Sequence, residues 1–479
     1  MRAVPGPPGT TTAVRRRRGG RQRVVVVGGG RAGVAAVEEL RRQAFEGDIT
    51  VLHDEPTPPY DRPACAKGVL TGHKRLADTL MPVHGSDTVE WRLARRALAL
   101  DADAHVVHTD TGEQFGYDAL VLATGAAPVP PPGWPMQEPG LHLLYRLSDA
   151  WRLRQELCHA RRVAVVGAGL TGCEVAHAVR SLARDCVLID PRPQALVRPL
   201  GEAVGRMVTC EIARDGVELR LGRRVTSLAR GRHGWILLLD DGDEVQADVV
   251  VATTGERPDT AWLRGTPGID VSDGILCDEA LRVVGAADVV AAGTAARWPN
   301  LRYGSTPTRI GQWITALEQG RAAARSLLAG RGYAAPVTHV PRFWSEQFGL
   351  RIQVCGVLPP EAEITVTEQR PGRRNPARAG VAVGYRVDGE LVGLVAVNAP
   401  QAFTAIVRTM LAAVRPRVAV AAPAAVPAPV PGPVERPVAP APAASGEPGD
   451  AVRPPVPPPA GPPPISGPLP VRPRLYAVR

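Results

Sequence analysis

Two glycine triplets and the acids that follow them carry the most explicit chemistry in this sequence. Gly28, Gly30 and Gly33 follow the apolar run at 24–27, and Gly167, Gly169 and Gly172 follow the one at 163–166. Each reads as a strand feeding a tight turn that opens a helix. The first glycine permits the turn, the second lets backbone N–H groups approach a pyrophosphate, and the third lets helix and strand pack closely. Each next strand ends in an acid: Asp54, with Glu55 beside it, and Asp190. A carboxylate there suits the hydroxyls of a ribose. One such pattern is weak, because glycine-rich turns also occur without ligands. Its return about 139 residues later makes two dinucleotide sites the expectation. In the second copy, Asp190 would accept from a free 2′-hydroxyl and repel a 2′-phosphate, which favours NADH over NADPH. Arg192, two residues on, is a cation that suits the phosphate instead.

The elements that must position these residues follow from pattern. Residues 1–22 are Pro, Gly, Thr and Arg without period and read as a disordered basic arm. Residues 23–128 form a first nucleotide-binding domain. It holds a proline-rich loop and short helix at 56–70, a strand meander over 91–93, 97–100 and 104–108, and a buried strand ending at Thr124-Gly125. Six prolines between 128 and 139 make a linker. The second domain, 129–252, opens with a helix near 148–159 that Ser148 would cap. It continues with strands at 217–221, 225–228, 235–239, 244–247 and 248–252. Residues 253–330 resume the first domain, with a buried strand at 288–293 and a helix within 307–328. Residues 331–414 read as a third, α+β domain: strands at 352–357, 364–367, 381–386 and 391–398, then a helix at 402–414. Residues 415–479, rich in Pro, Ala, Val and Arg, lack hydrophobic period and read as a disordered tail. The fold class is therefore α/β, with two Rossmann-like nucleotide-binding domains and a C-terminal α+β domain.

Composition narrows the function. The chain has 479 residues, 44% of them apolar, enough for a large core. Lysine occurs only at Lys67 and Lys74, so nearly all positive charge is arginine; a codon bias explains this as well as any function does. The net charge is +10, yet there is no zinc-ligand spacing or nucleic-acid motif and only 4% aromatic content, which argues against a nucleic-acid partner. The seven cysteines (65, 158, 173, 186, 210, 277 and 355) form no Cys-x-x-Cys pair. They fit a reducing cytoplasm and speak against dithiol chemistry. No metal site is expected. No stretch reaches eighteen apolar residues, so no membrane span is expected. Four arginines at 15–18 precede only four valines, too few for a signal-peptide core.

Several motifs together carry a family resemblance: Gly28-Gly-Gly30-Arg31-Ala32-Gly33, Pro59-Tyr-Asp-Arg62-Pro63, Lys67-Gly-Val-Leu, Ala123-Thr124-Gly125, Gly167-Ala-Gly169-Leu170-Thr171-Gly172-Cys-Glu174 and Trp344-Ser-Glu-Gln-Phe-Gly-Leu-Arg. On them the chain resembles the oxygenase-coupled ferredoxin reductases of the glutathione-reductase-like fold, over residues 23 to about 398. The resemblance implies FAD in the first domain and NADH in the second. It also implies single-electron delivery to a [2Fe–2S] ferredoxin serving a cytochrome P450 or Rieske oxygenase, by a monomer or homodimer. It implies that Asp54, with Glu55 as neighbouring candidate, holds the adenosine ribose of FAD, and that Arg62 lies near the adenosine and diphosphate. Lys67 and Glu174 would pair beside the isoalloxazine, and Trp344 would lie near the flavin; these three are the catalytic candidates. Ala97, Gly293, Thr294 and Trp313 join the FAD side, and Gly255 joins the NADH side. The sequence departs from the family at Gly293-Thr294, where Gly-Asp is usual, and at Gly311-Gln312-Trp313, where Glu-His-Trp is usual. It departs again at Ala64-Cys65-Ala66 within the Arg-Pro…Lys loop.

Two rival readings follow from those departures. Cys65 occupies the loop in which single-cysteine NADH peroxidases and CoA-disulfide reductases carry a redox thiol, although a small buried cysteine filling a leucine site is the plainer reading. Alternatively, the changes at Thr294 and Gly311-Gln312 mark a decayed flavoprotein serving as a binding module.

Overall fold

The computed structural model describes residues 21–330, 332–370 and 380–412. The expected arm, but for its last two residues, and the expected tail at 415–479 lie outside them. Arg23–Val27 is buried over its four valines, as suits an interior strand of a sheet covered on both faces. It lies at the centre of a five-stranded parallel sheet ordered Val289–Ala291, Ala119–Leu122, Arg23–Val27, Asp48–His53, Val89–Leu93. Register places Val27 between Leu52 and Leu122, so Gly28 leaves the sheet at its carboxyl edge. There the Gly28 N–H donates to the Leu52 carbonyl at 2.8 Å, and helix Arg31–Arg42 begins.

A second parallel sheet repeats the plan in the order Glu218–Leu221, Asp185–Asp190, Arg162–Val166, Val249–Ala252, Leu141–Leu143. Helix Leu170–Ser181 follows its central strand. The chain then returns to the first sheet through Val289–Ala291, and helix Trp313–Ala329 packs along Arg31–Arg42. Small residues permit that approach: Ala35, Ala36, Ala323 and Ala324 are fully buried. A methyl on Gly320 would lie 2.2 Å from the Ala32 carbonyl oxygen and 2.9 Å from the Ala35 Cβ.

The C-terminal part is an antiparallel sheet ordered Arg342–Gln347, Leu350–Gly356, Glu390–Val397, Gly380–Val387, Glu363–Arg370. Alternation assigns its faces. Val395 and Val397 join the core of the second sheet with Phe348 and Tyr385, while Leu394 and Ala396 pack under helix Pro400–Ala412.

Three sequence expectations need correction. The meander over 91–108 forms only in its last two strands. Val89–Leu93 pairs in parallel with Asp48–His53, and Ala97–Asp101 instead joins Val106–Thr109 and Gln114–Gly116 in a separate antiparallel sheet. A run of short apolar stretches cannot distinguish these pairings. Ser148 does not cap the next helix. Leu147–Leu157 starts one residue earlier, and the Asp149 carboxylate takes the backbone N–H groups of Tyr145 and Arg146 at 3.2 and 2.8 Å. Arg342–Gln347, read only as a motif, is a strand. Among the described residues no helix is long and apolar enough to cross a membrane.

The Gly320 contact gives the first prediction. Gly320→Val forces the two helices apart and is expected to lower stability by about 1–3 kcal/mol, read as an earlier midpoint in urea.

Candidate functional site

Gly28 has φ +113°, and a methyl there would lie 2.2 Å from the Ala123 carbonyl oxygen. A methyl on Gly33 would lie 1.9 Å from the Gly28 carbonyl oxygen. Gly30 is different: nothing lies within 4 Å of the place a methyl would take. Gly30 is also the N-cap of helix Arg31–Arg42, and no side chain caps it. The second copy has the same build. Gly167 has φ +111° against the Thr253 carbonyl, Gly172 sits against Gly167, and Gly169 caps helix Leu170–Ser181 with open space beside it. Uncapped first-turn N–H groups facing an open cradle suit a pyrophosphate in both places. The openings differ. Ala32 is buried and Arg31 half-buried in the first, whereas Gly169 and Thr171 are exposed in the second, beside half-buried Leu170.

The strand-end acids have settled partners. Asp54, partly exposed, pairs with the Arg146 guanidinium. Glu55 is buried; it accepts from the Tyr60 hydroxyl and from Arg62 Nη2, each at 2.8 Å. Arg62 donates its other terminal nitrogen to the Tyr145 carbonyl at 2.8 Å and lies over the Tyr60 and Tyr145 rings at 5.1 and 4.5 Å. Glu55 therefore fixes the Arg62 loop, leaving Asp54 as the acid on the open side. His53, beneath them, accepts the Gly29 N–H at 3.3 Å, and burial holds its imidazole below the ordinary value. Asp190 is buried and accepts the Ala168 and Arg192 N–H groups at 2.7 and 2.8 Å. It braces its glycine loop while the Arg192 guanidinium stands 3.7 Å away.

The catalytic candidates meet at one junction. Lys67 ends the 3₁₀ turn Arg62–Ala66, and Glu174 lies in the second turn of Leu170–Ser181. Lys67 Nζ stands 3.0 Å from Glu174 Oε1, and Ser345 Oγ donates to the same oxygen at 2.5 Å. Gln347 Nε2 donates to Ser345 Oγ at 3.2 Å. Alternation along Arg342–Gln347 buries Ser345 and Gln347 and leaves Trp344 on the other face, its side chain 52% exposed. One helical turn past Glu174, His177 Nδ1 accepts the Phe348 N–H at 3.1 Å. Ser345, Gln347 and His177 were missed in the sequence; the alternation inside Trp-Ser-Glu-Gln was the available signal. Cys65, next to the junction, is 3% exposed, and burial pushes its thiol up to about 12.

The remaining candidates lie on the segment that returns to the first sheet and on the turns that follow strands of both sheets. Gly293, at φ +77°, donates its N–H to Gln319 Oε1 at 2.8 Å, and a methyl there would lie 3.0 Å from the Ala32 Cβ. Thr294 follows it and faces Gly311: a methyl on Gly311 would lie 3.1 Å from Thr294 Cγ2 and 2.7 Å from Glu256 Oε1. Arg31 stands 5.0 Å over the Trp313 ring. Ala123 is buried and the Thr124 hydroxyl donates to the Asp259 carbonyl at 2.7 Å. Gly125, at φ +73°, lies near the Tyr145 hydroxyl. Gly255, at φ +133°, has open space beside it. Ala97 is buried at the start of its strand, next to Arg96, which reaches Asp259 at 4.0 Å. Trp313 Nε1, Gln312 Oε1 and Arg31 Nε are buried with no hydrogen-bond partner. Polar atoms so placed are met by water or by a ligand, and a dinucleotide with polar edges would suit them. Among the described residues no cluster of His, Cys, Asp and Glu could hold a metal.

Comparison with known proteins agrees with this geometry. Residues 22–320 match the model of the pyridine nucleotide-disulphide oxidoreductases, and 342–427 match a reductase C-terminal domain. The chain is 31% identical over 381 residues to the biphenyl dioxygenase system ferredoxin–NAD(+) reductase component of Paraburkholderia xenovorans (strain LB400), covering 79% of this chain and 90% of that one. It is 29% identical over 334 residues to the rubredoxin-NAD(+) reductase of Pseudomonas putida, covering 68% and 84%. The structure of the covalent putidaredoxin reductase–putidaredoxin complex superposes with a TM-score of 0.75 at 26% identity, covering 82% and 93%.

The His177 contact yields a pH prediction. Burial lowers its pKa from the ordinary 6.5, so the folded state resists the proton that the unfolded chain accepts. Its contribution to stability is complete above 6.5 and is lost as pH falls from 6.5 through the depressed folded value. His177→Asn is expected to shrink the drop in thermal midpoint between pH 7.5 and 5.5; an unchanged drop would remove His177 from the account.

Proposed function

The chain belongs to the pyridine nucleotide-disulphide oxidoreductase family, and on that premise we propose that it is an FAD-dependent NADH:ferredoxin reductase. Its acceptor is a [2Fe–2S] ferredoxin that feeds a cytochrome P450 or Rieske oxygenase. The observation that carries the reading is the Lys67–Glu174–Ser345 junction, which brings both nucleotide sheets and the C-terminal sheet together beside the first cleft. When bound, FAD supplies the conversion between two-electron uptake from NADH and one-electron release.

The chain's own residues bind, orient and shield. Gly28, Gly30, Arg31, Ala32 and Gly33 would hold the FAD diphosphate, with Asp54 at the ribose and Arg62 fixing the loop beside it. Thr294 and Trp313 would face the cofactor from the returning segment. Gly167, Gly169, Leu170, Thr171 and Gly172 would hold NADH, and Asp190 would set the position of their loop. Lys67 would present its ammonium to the flavin ring, with Glu174 offsetting the cost of its partial burial. Trp344 would cover the open face. The domain division at 23–128, 129–252, 253–330 and 331–414 is part of the same reading, as is a reducing cytoplasm, which suits the free thiols.

Cys65 takes no part in this chemistry. A buried thiol with a raised pKa holds too little thiolate to act as a nucleophile. Cys65→Ser is expected to leave NADH-to-ferredoxin turnover unchanged.

Protein supplied with FAD is expected to be yellow and to bleach with NADH under anaerobic conditions; a flavin that binds and stays oxidised overturns the proposal. Ser345→Ala removes one donor to a carboxylate, worth about 1.5 kcal/mol. It is expected to slow bleaching by about tenfold while flavin content stays at the wild-type level.

A further inference from the structure

Glu256, beside Gly311, is a side chain whose chemistry the reading above leaves unused. It opens strand Glu256–Pro258, which pairs antiparallel with Ala126–Pro128 directly after the Ala123-Thr124-Gly125 turn. Its carboxylate and the Thr294 side chain both border Gly311: a methyl there would lie 2.7 Å from Glu256 Oε1 and 3.1 Å from Thr294 Cγ2. The side chain opens to solvent through the cleft while protein surrounds its other sides. Among the described residues no basic group lies within ion-pair distance of it. Arg309, from the strand Pro307–Arg309, and Arg62 face it from further off. Arg309 is already directed at Asp273 at 3.3 Å, and Arg62 is held by Glu55. Tyr145 is the other titratable group facing it, and its hydroxyl is engaged by the Ala126 N–H at 3.2 Å.

An exposed carboxylate with no ion-pair partner among the described residues, standing beside Gly311, is a charge that a cofactor filling this cleft would meet and cover. We propose that Glu256 is a cofactor-facing acid that sets the pH dependence of the bound flavin's reduction potential; this rests on the FAD reading given above. The physical reason is charge. An ionised carboxylate at the cleft wall opposes the entry of electrons, whereas the protonated group does not and donates a hydrogen bond instead. Burial raises the pKa of Glu256 above the ordinary carboxylate value, and Arg309 and Arg62 oppose that rise. Protonation therefore occurs at higher pH than for a surface glutamate. Between the Glu256 pKa values of the oxidised and the reduced protein, reduction is accompanied by uptake of a proton from solvent at this carboxylate; above both values it stays ionised and takes up none.

The test is the midpoint potential of the FAD-loaded protein, measured against pH for wild type and Glu256→Gln. Wild type is expected to show an extra inflection, with the potential falling more steeply as pH rises through the Glu256 titration. Glu256→Gln is expected to lack that inflection. It should coincide with wild type at the acid end and lie at a more positive potential at the alkaline end. Glu256→Asp, which keeps the charge, is expected to restore the inflection. Superimposable wild-type and Glu256→Gln curves overturn the inference. So does a wild-type curve without the extra inflection, which needs no variant to fold. Wild-type protein that takes up no FAD overturns the functional reading itself, so the two failures are distinct.

Discussion

Glu174 has only 12% of its side chain in contact with water, and a carboxylate so placed requires a cation and a donor. It obtains them from opposite ends of the chain: Lys67 from the loop beyond the first cradle, and Ser345 from the first strand of the C-terminal sheet. The helix that carries Glu174 begins at the second cradle. One oxygen atom thus holds three separate parts of the molecule in register. The Phe348–His177 hydrogen bond and the 2.6 Å bond from the Tyr385 hydroxyl to the Leu200 carbonyl reinforce the same seam. Removing one partner of the pair leaves a poorly hydrated charge behind, so the geometry resists piecemeal change.

Much of the framework was legible because its signals are local. The valine runs, the glycine spacing and the acids at the strand ends each encode a backbone need that side-chain context does not override. Gly28 and Gly33 illustrate this, since no other residue fits against the Ala123 and Gly28 carbonyls. Helix Trp313–Ala329 was legible for the same reason, its alanines marking a close helix approach. What was not legible depends on pairings between distant segments. Val89–Leu93 could be placed in the parallel sheet only by knowing its neighbour, and no pattern within 91–108 says so.

The site shows the same division. Asp54 and Glu55 are adjacent and chemically alike, and only their partners tell them apart: Glu55 is buried against Tyr60 and Arg62, while Asp54, paired with Arg146, stays partly exposed. Ser345 lay inside a motif whose tryptophan drew attention, although strand alternation aims the serine inward and the tryptophan outward. Glu256 looked like an ordinary polar residue after Gly255. Its place at the site depends on Gly311, which has no side chain to displace the carboxylate beside it.

The two cradles are nearly identical in backbone, with Gly28 and Gly167 at φ +113° and +111° and both helix starts uncapped. The backbone of the phosphate cradles therefore does not distinguish the two halves. The covering does: the first helix start is enclosed at Ala32, while the second stands open at Gly169 and Thr171. The same cradle, covered once and left open once, differs between the halves in how far it is shielded from solvent.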